Sequence, residues 1–244
     1  MKTRIFLAVI SLFIFSSTGV SQISVKVGAG GGYVTPAGDY GGSTVDFYNG
    51  TKYGMSSGYN FHAKAKVSVL TFAVNGAIDY SKFTNDGNAF DDGRGTVEVS
   101  QSILAFRVGP EFRLDIPLVP IVPYIDANVA MNTISGEVIY QGVAEVPSGT
   151  HEIESATRFG LGFGGGVEFS LGPAMTLDLG IHYNLVNLFG KEYKADAGAS
   201  RIDAYTSLND DADPFSVVGN DDHFISDSRS ISNLQFTLTV LFGF

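Results

Sequence analysis

The sequence predicts an all-β chain, a closed antiparallel transmembrane β-barrel of about eight strands with short periplasmic turns and long extracellular loops. Three observations carry this. Apolar and polar residues alternate with period two along repeated segments of about ten residues. Beyond the N-terminal leader, no apolar run approaches the ~20 residues of a membrane helix. The 244 residues include no Cys and no Trp and only 16% charged residues, but 30 Gly, 19 Phe and 11 Tyr. Without disulfides, a secreted chain of this composition must find its stability in sheet closure and packing.

The first residues read as a secretory signal peptide, residues 1–21. Lys2 and Arg4 supply the positive region, Ile5 to Phe15 the apolar stretch, and Ser16 to Ser21 the small residues that suit a signal peptidase. The stretch is too short for a membrane helix. Cleavage after Ser21 leaves one barrel domain, 22–244; a cut after Gly19 also fits the pattern.

The alternating segments follow in order. Ile23, Val25, Val27, Ala29 and Tyr33 form the first outward face. Tyr59, Phe61, Ala63, Ala65, Val67 and Val69 form the second. A very short turn near Leu70 leads to Phe72, Val74, Gly76, Ile78 and Tyr80. In the fourth segment Val97 and Val99 have one parity and Leu104, Phe106, Val108 and Phe112 the other, which predicts a β-bulge between Gln101 and Ile103. A turn with Pro117, Pro120 and Pro123 precedes Ile125, Ala127, Val129 and Met131. Phe159, Leu161, Phe163, Val167, Phe169 and Leu171 alternate with a run of Gly, and small inward residues suit a narrow lumen. Past Gly172 and Pro173 come Met175, Leu177, Leu179, Ile181, Tyr183 and Leu185. The last segment places Leu234, Phe236, Leu238, Val240, Phe242 and Phe244 outward.

Links after the second, fourth and sixth segments are short, and the others are long, polar and rich in Gly and Asp. That rhythm is the one of an outer-membrane barrel. A soluble β-sandwich also alternates, but it would need a large core for these aromatic faces, and its outer face would not be so poor in charge.

The inward parity collects Lys26, Lys64, Lys66, Arg107, Arg113 and Arg158 against Asp79, Glu111, Asp126, Glu168 and Asp178. These nearly cancel, and charges in a small lumen are tolerated only when paired. The expected interior is therefore an interlocked polar core, with His182 among it bonded to a neighbour such as Asp178 or Glu168. The formal net charge of −10 lies mainly in the loops. The third loop carries Glu137, Glu145, Glu152 and Glu154, and the fourth runs from Lys191 to Asp227 with nine carboxylates. Asn209, Asp210, Asp211 and Asp213, then Asn220, Asp221 and Asp222, are candidate Ca²⁺ ligands, although their spacing lacks the full calcium-loop pattern. No other cofactor is expected. The acidic surface excludes nucleic acid as a partner. Gly160, Gly162 and Gly164 to Gly166 lie in an alternating strand with no following helix or Lys, so they do not form a phosphate loop. Scattered His and absent Cys give no metal cage.

Leu234 to Phe244 resembles the C-terminal β-signal of outer-membrane proteins, with Phe236, Val240, Phe242 and the terminal Phe244 as its apolar positions. From Gln22 to Phe244 the chain is similar to the OmpA/OmpX-like family of small outer-membrane β-barrels. The resemblance implies location in the outer membrane of a Gram-negative-type bacterium. It also implies partners in outer-membrane lipid and lipopolysaccharide, and recognition by the barrel-assembly machinery. No C-terminal peptidoglycan-binding domain is expected. Some small barrels of this kind remove acyl chains from lipid A with a His-x-Ser pair. Here the positions read His182-Tyr183-Asn184, without the nucleophile. The expected function is structural or surface interaction through the acidic loops, for a ligand the sequence does not name, and not catalysis. The alternatives are a narrow porin-like channel for small solutes or ions and a lipid A-modifying enzyme.

Overall fold

The computed structural model describes residues 23–114, 121–194, 200–214 and 225–243. The expected leader, part of the proline turn (Pro117 and Pro120), the acidic positions Asn220, Asp221 and Asp222, and Phe244 lie outside the described residues.

Eight strands follow in chain order: β1 (Ile23–Ala37), β2 (Gly58–Val69), β3 (Phe72–Asn88), β4 (Thr96–Arg113), β5 (Ile121–Gln141), β6 (Gly149–Ser170), β7 (Met175–Phe189) and β8 (Ser232–Gly243). Each pairs antiparallel with the next, and β8 returns to β1 from Lys26↔Gly243 to Ala37↔Ser232. Closure leaves no strand edge unpaired, the condition for a sheet to sit in hydrocarbon.

Outward side chains are apolar around the whole circumference. Phe61 is 62% exposed, Phe72 63% and Ile125 66%, and Val74, Val129, Phe163, Ile181, Leu238 and Phe242 are also exposed. So continuous an apolar belt could not face water on a monomer; it faces lipid. With no Trp in the chain, Tyr and Phe form the girdles. Tyr33, Tyr59, Tyr80 and Tyr183 stand toward the long-loop end. Phe72 and Phe112 meet edge to face, ring centroids 5.5 Å apart, at the short-turn end.

The structure corrects two readings of the alternation. There is no bulge at Gln101–Ile103: β4 keeps one unbroken register against β3, from Phe72↔Phe112 to Asn88↔Thr96. Val97, Val99 and Ile103 point inward and are buried. The parity change reflects a change in what the barrel contains, polar below and apolar above. The register shifts instead between β5 and β6, between Ile134 and Gly136, and between β6 and β7, between Phe159 and Leu161. The strands are also longer than their lipid-facing stretches. Glu137 belongs to β5 and Glu152 and Glu154 to β6, not to a loop. Beyond the membrane the outward face meets water and the inward face meets the apolar mouth, so the sense of the alternation reverses while the backbone ladder continues.

The apolar core therefore sits at the extracellular end. Val34, Phe83, Val99, Ile103, Ile134, Val138, Tyr140, Val186 and Ile231 line the mouth from inside. Onto them fold Tyr40, Phe47, Tyr48, Tyr53 and Met55 from the first loop and Ala204, Tyr205 and Leu208 from the fourth. Among the described residues two short α-helices shape this lid, α1 (Thr44–Tyr48) and α2 (Arg201–Thr206). Each starts with a capping box, Ser43 with Asp46 and Ser200 with Asp203. The serine side chain accepts the backbone N–H three residues on, and the aspartate accepts the serine's own N–H.

Candidate functional site: a polar lumen under a folded lid

The lumen is built of stacked polar layers. Nearest the periplasmic turns, Glu168 on β6 accepts from three cations: Lys26 (2.8 Å), Lys66 (2.5 Å) and Arg113 (3.1 Å). Lys66, fully buried, also donates to Glu111 at 2.6 Å. Above it Lys64 donates to Asp178 at 2.7 Å, and the Tyr124 hydroxyl donates to the other oxygen of Asp178 at 2.6 Å. Tyr124 also presents its ring to Lys66, 4.6 Å from the ammonium. Higher still, Arg107 makes a two-pronged contact with Asp79 (2.8 and 2.7 Å). Every one of these cations thus meets a carboxylate, and bidentate and hydrogen-bonded pairing is what makes buried charge tolerable.

Glycines on β6 let these groups reach across the barrel. Asp126, Gly164 and His182 lie in register on β5, β6 and β7, and His182 Nε2 pairs with Asp126 at 3.0 Å. A Cβ at Gly164 would stand 2.3 Å from the His182 ring. The His182 partner expected from sequence, Asp178 or Glu168, is thus corrected to Asp126, because the other two carboxylates are already held by lysines, an arginine and Tyr124. Among the described residues, cavities of about 20 Å³ lie at two levels between the layers, with Arg107 in the wall of both. Each has room for about one water molecule.

Arg158 stands apart from the other inward cations. It reaches up into the lid, where its guanidinium grips Asp210 through Nε and Nη2, both at 2.9 Å. Asp210, with no exposed surface, also accepts from the Asn187 amide (2.9 Å) and the Glu192 backbone N–H (2.9 Å). Asn209 accepts from the Lys194 N–H and donates to the Ala204 carbonyl. Asp211 is exposed and bonds the next backbone N–H. The expected cation cluster of Asn209, Asp210, Asp211 and Asp213 does not assemble, because its first two members are turned to the barrel wall and the loop backbone. Among the described residues no group of three or more His, Asp or Glu is placed to hold a metal.

The rest of the lid was not legible as a site. Arg201 lies over the Tyr48 ring at 4.1 Å and donates to its hydroxyl at 2.7 Å. The Tyr205 hydroxyl donates to the Tyr48 carbonyl. Arg229 lies over Tyr53 at 4.2 Å and donates to the Asn209 carbonyl at 2.7 Å. Asp39 joins the first loop to the fourth by accepting from Ser230 N–H and Oγ, both at 2.9 Å. The available signal was the pair of Ser-x-x-Asp boxes that start α1 and α2.

Burial pushes the Tyr205 hydroxyl up to about 12, and burial also raises Tyr48. A free tyrosine ionises near 10. The undocked lid therefore loses protons first, and the docked state's advantage falls as pH rises from about 10 through 12. The lid is expected to undock in that window: near-UV dichroism should decay while the far-UV barrel signal stays. Loss of both signals together would mean that the lid does not move separately.

A closed eight-stranded sheet with an apolar belt, a polar filled interior and long loops at one end defines an outer-membrane β-barrel. The chain belongs to the outer membrane protein beta-barrel domain family, whose model matches residues 5–215. Comparison with curated sequences returned no match. Among solved structures, a major outer membrane protein from Thermus thermophilus shares 15% identity at a TM-score of 0.51, over 91% of this chain and 99% of that one. The outer membrane protein OprG from Pseudomonas aeruginosa shares 8% at 0.49, over 93% and 98%. Neisserial surface protein A shares 14% at 0.47, over 92% and 98%. The outer membrane is the location of this chain.

The C-terminal positions expected to act as an assembly signal are carried by β8, where Phe236, Val240 and Phe242 share the lipid face.

Proposed function

We propose that this barrel is a non-conducting, non-catalytic membrane platform whose work is done by its folded extracellular end. The observation that supports this reading is the pairing of cations and carboxylates through the lumen, with cavities of about single-water size at two of its levels. A hydrated ion needs a continuous wet path, and here the charged groups are already each other's ligands. Above them lies a second seal, the aromatic core under the lid. Two of the four histidines support the non-catalytic half. His62 is bonded to Asn60 and Thr239, both at 2.8 Å, and His182 to Asp126, all inside the lumen and away from lipid.

Planar-bilayer recording tests the reading. Purified protein is expected to give no stable unitary current, and lipid A from cells expressing it should keep its acylation pattern by mass spectrometry. A reproducible current that Arg107→Ala enlarges would overturn the first half, and a changed acylation pattern the second.

A further inference from the structure

On the outer wall, just past the lipid belt, the strands enclose an open groove of about 720 Å³. Its floor comes from two rows of outward residues read across the sheet. The first row runs Lys82, Ser102, Ser135 and the bulge residue Ser155; the second runs Ser100, Glu137 and Glu152. Glu154 shares the bulge, and Thr206 and Ser207 overhang from the end of α2. The bulge makes the concavity. Ile153 and Ala156 both turn inward, so the two residues between them both face out and the wall bends there.

The level of the groove is fixed by its neighbours. The row beneath it holds Tyr80, opposite Leu104, with Met131 and Phe159 one step lower, all exposed to lipid. The Tyr80 hydroxyl shares a hydrogen bond of 2.9 Å with Ser102 Oγ, so girdle and groove are continuous. At roughly 3.4 Å per residue along a strand, the serine row lies about 7 Å beyond the girdle. That is the depth of headgroups and attached sugars, not of acyl chains.

We propose that this groove binds the saccharide part of lipopolysaccharide in the surrounding outer leaflet. Its chemistry fits sugar hydroxyls. Serine hydroxyls both donate and accept, and Glu137 and Glu152 accept strongly from hydroxyl donors. It does not fit phosphate: three carboxylates face one groove lysine, and a second cation nearby, Lys194, is paired with Glu154 at 3.3 Å. The occupant is membrane-borne because the groove opens sideways, flush with the belt, and not upward to the medium. The inference does not depend on whether the lumen conducts.

The chain has no Cys, so Ser135→Cys can carry a single environment-sensitive fluorophore in the full protein, refolded in detergent free of lipopolysaccharide. Dephosphorylated core oligosaccharide is the probe. A saturable change is expected at Ser135→Cys and none at a label on Lys52→Cys in the first loop. Unlabelled protein should show saturation transfer to the same oligosaccharide by NMR. That transfer should be lost in Ser102→Phe, which fills the groove, and Glu137→Gln with Glu152→Gln should weaken binding about tenfold. Absence of saturable change together with absence of saturation transfer overturns the proposal, as does an equal change at both labels. Binding of only the phosphorylated core, and only with Mg²⁺, also overturns it, because the carboxylates would then be acting through a bridging cation.

Discussion

A Glu168→Gln variant is expected to lose about 3–5 kcal/mol of barrel stability, the usual consequence of removing one partner from a buried charge cluster. Glu168 is nearly devoid of exposure and accepts from Lys26, Lys66 and Arg113. Glutamine keeps the volume and removes the charge. Three cations would then share Glu111, which already holds Lys66 at 2.6 Å. Closure of the sheet prevents the lumen from swelling to admit water in compensation. Urea unfolding in lipid vesicles, followed by far-UV dichroism or by the shift between heated and unheated bands on a gel, measures the loss. Adding Lys66→Met should recover part of it, with a coupling energy of about 0.5–3 kcal/mol between the two sites. A loss below about 1 kcal/mol, typical of solvated pairs, would show the lumen to be wet and would weaken the non-conducting reading with it.

The parts legible in the sequence were those governed by the two-residue period. Lipid against lumen is a one-bit decision at each position, and it holds wherever the strand is inside the membrane. Pairing inside the lumen is different in kind. It depends on which residues the register brings to one level, and on gaps left by neighbours. His182 meets Asp126 only because Gly164 leaves the space between them open. Lys66 reaches both Glu111, two strands away, and Glu168 across the barrel, which no spacing along the chain encodes.

Where the environment changes, the same rule misleads. Val97 and Val99 are inward residues, like Arg107 and Glu111 on the same strand. They differ only because the barrel holds aromatic loop side chains at their level and ion pairs lower down. The fourth loop hid its structure for a related reason. Its acidic composition reads as solvated surface, yet Asp210 is fully enclosed, and what encloses it is an arginine 52 residues away in the sequence.

That arginine sets the other large effect. Asp210→Ala is expected to release the fourth loop from the barrel and leave the strands intact. It removes both prongs of the Arg158 contact and the bonds from Asn187 and the Glu192 backbone. Among the described residues, Arg158 would remain 2% exposed with the Thr157 carbonyl and with Glu192, at 3.6 Å and itself half in solvent. A buried cation stripped of its partner costs about 3–5 kcal/mol, which raises the open population of the loop by roughly two to nearly four orders of magnitude. Trypsin sites at Lys191, Lys194, Arg201 and Arg229 report that population when opening is fast relative to cleavage. Cleavage in this loop should accelerate by about 100-fold or more, with the eight-stranded core still resistant and still heat-modifiable. Replacing the pair together, Arg158→Met with Asp210→Leu, should restore much of the protection, since a buried ion pair can often be exchanged for apolar packing. Protection that survives Asp210→Ala would mean that Tyr48, Tyr205 and Arg229 hold the lid without the ion pair. Arg158 would then serve only to balance charge beneath it.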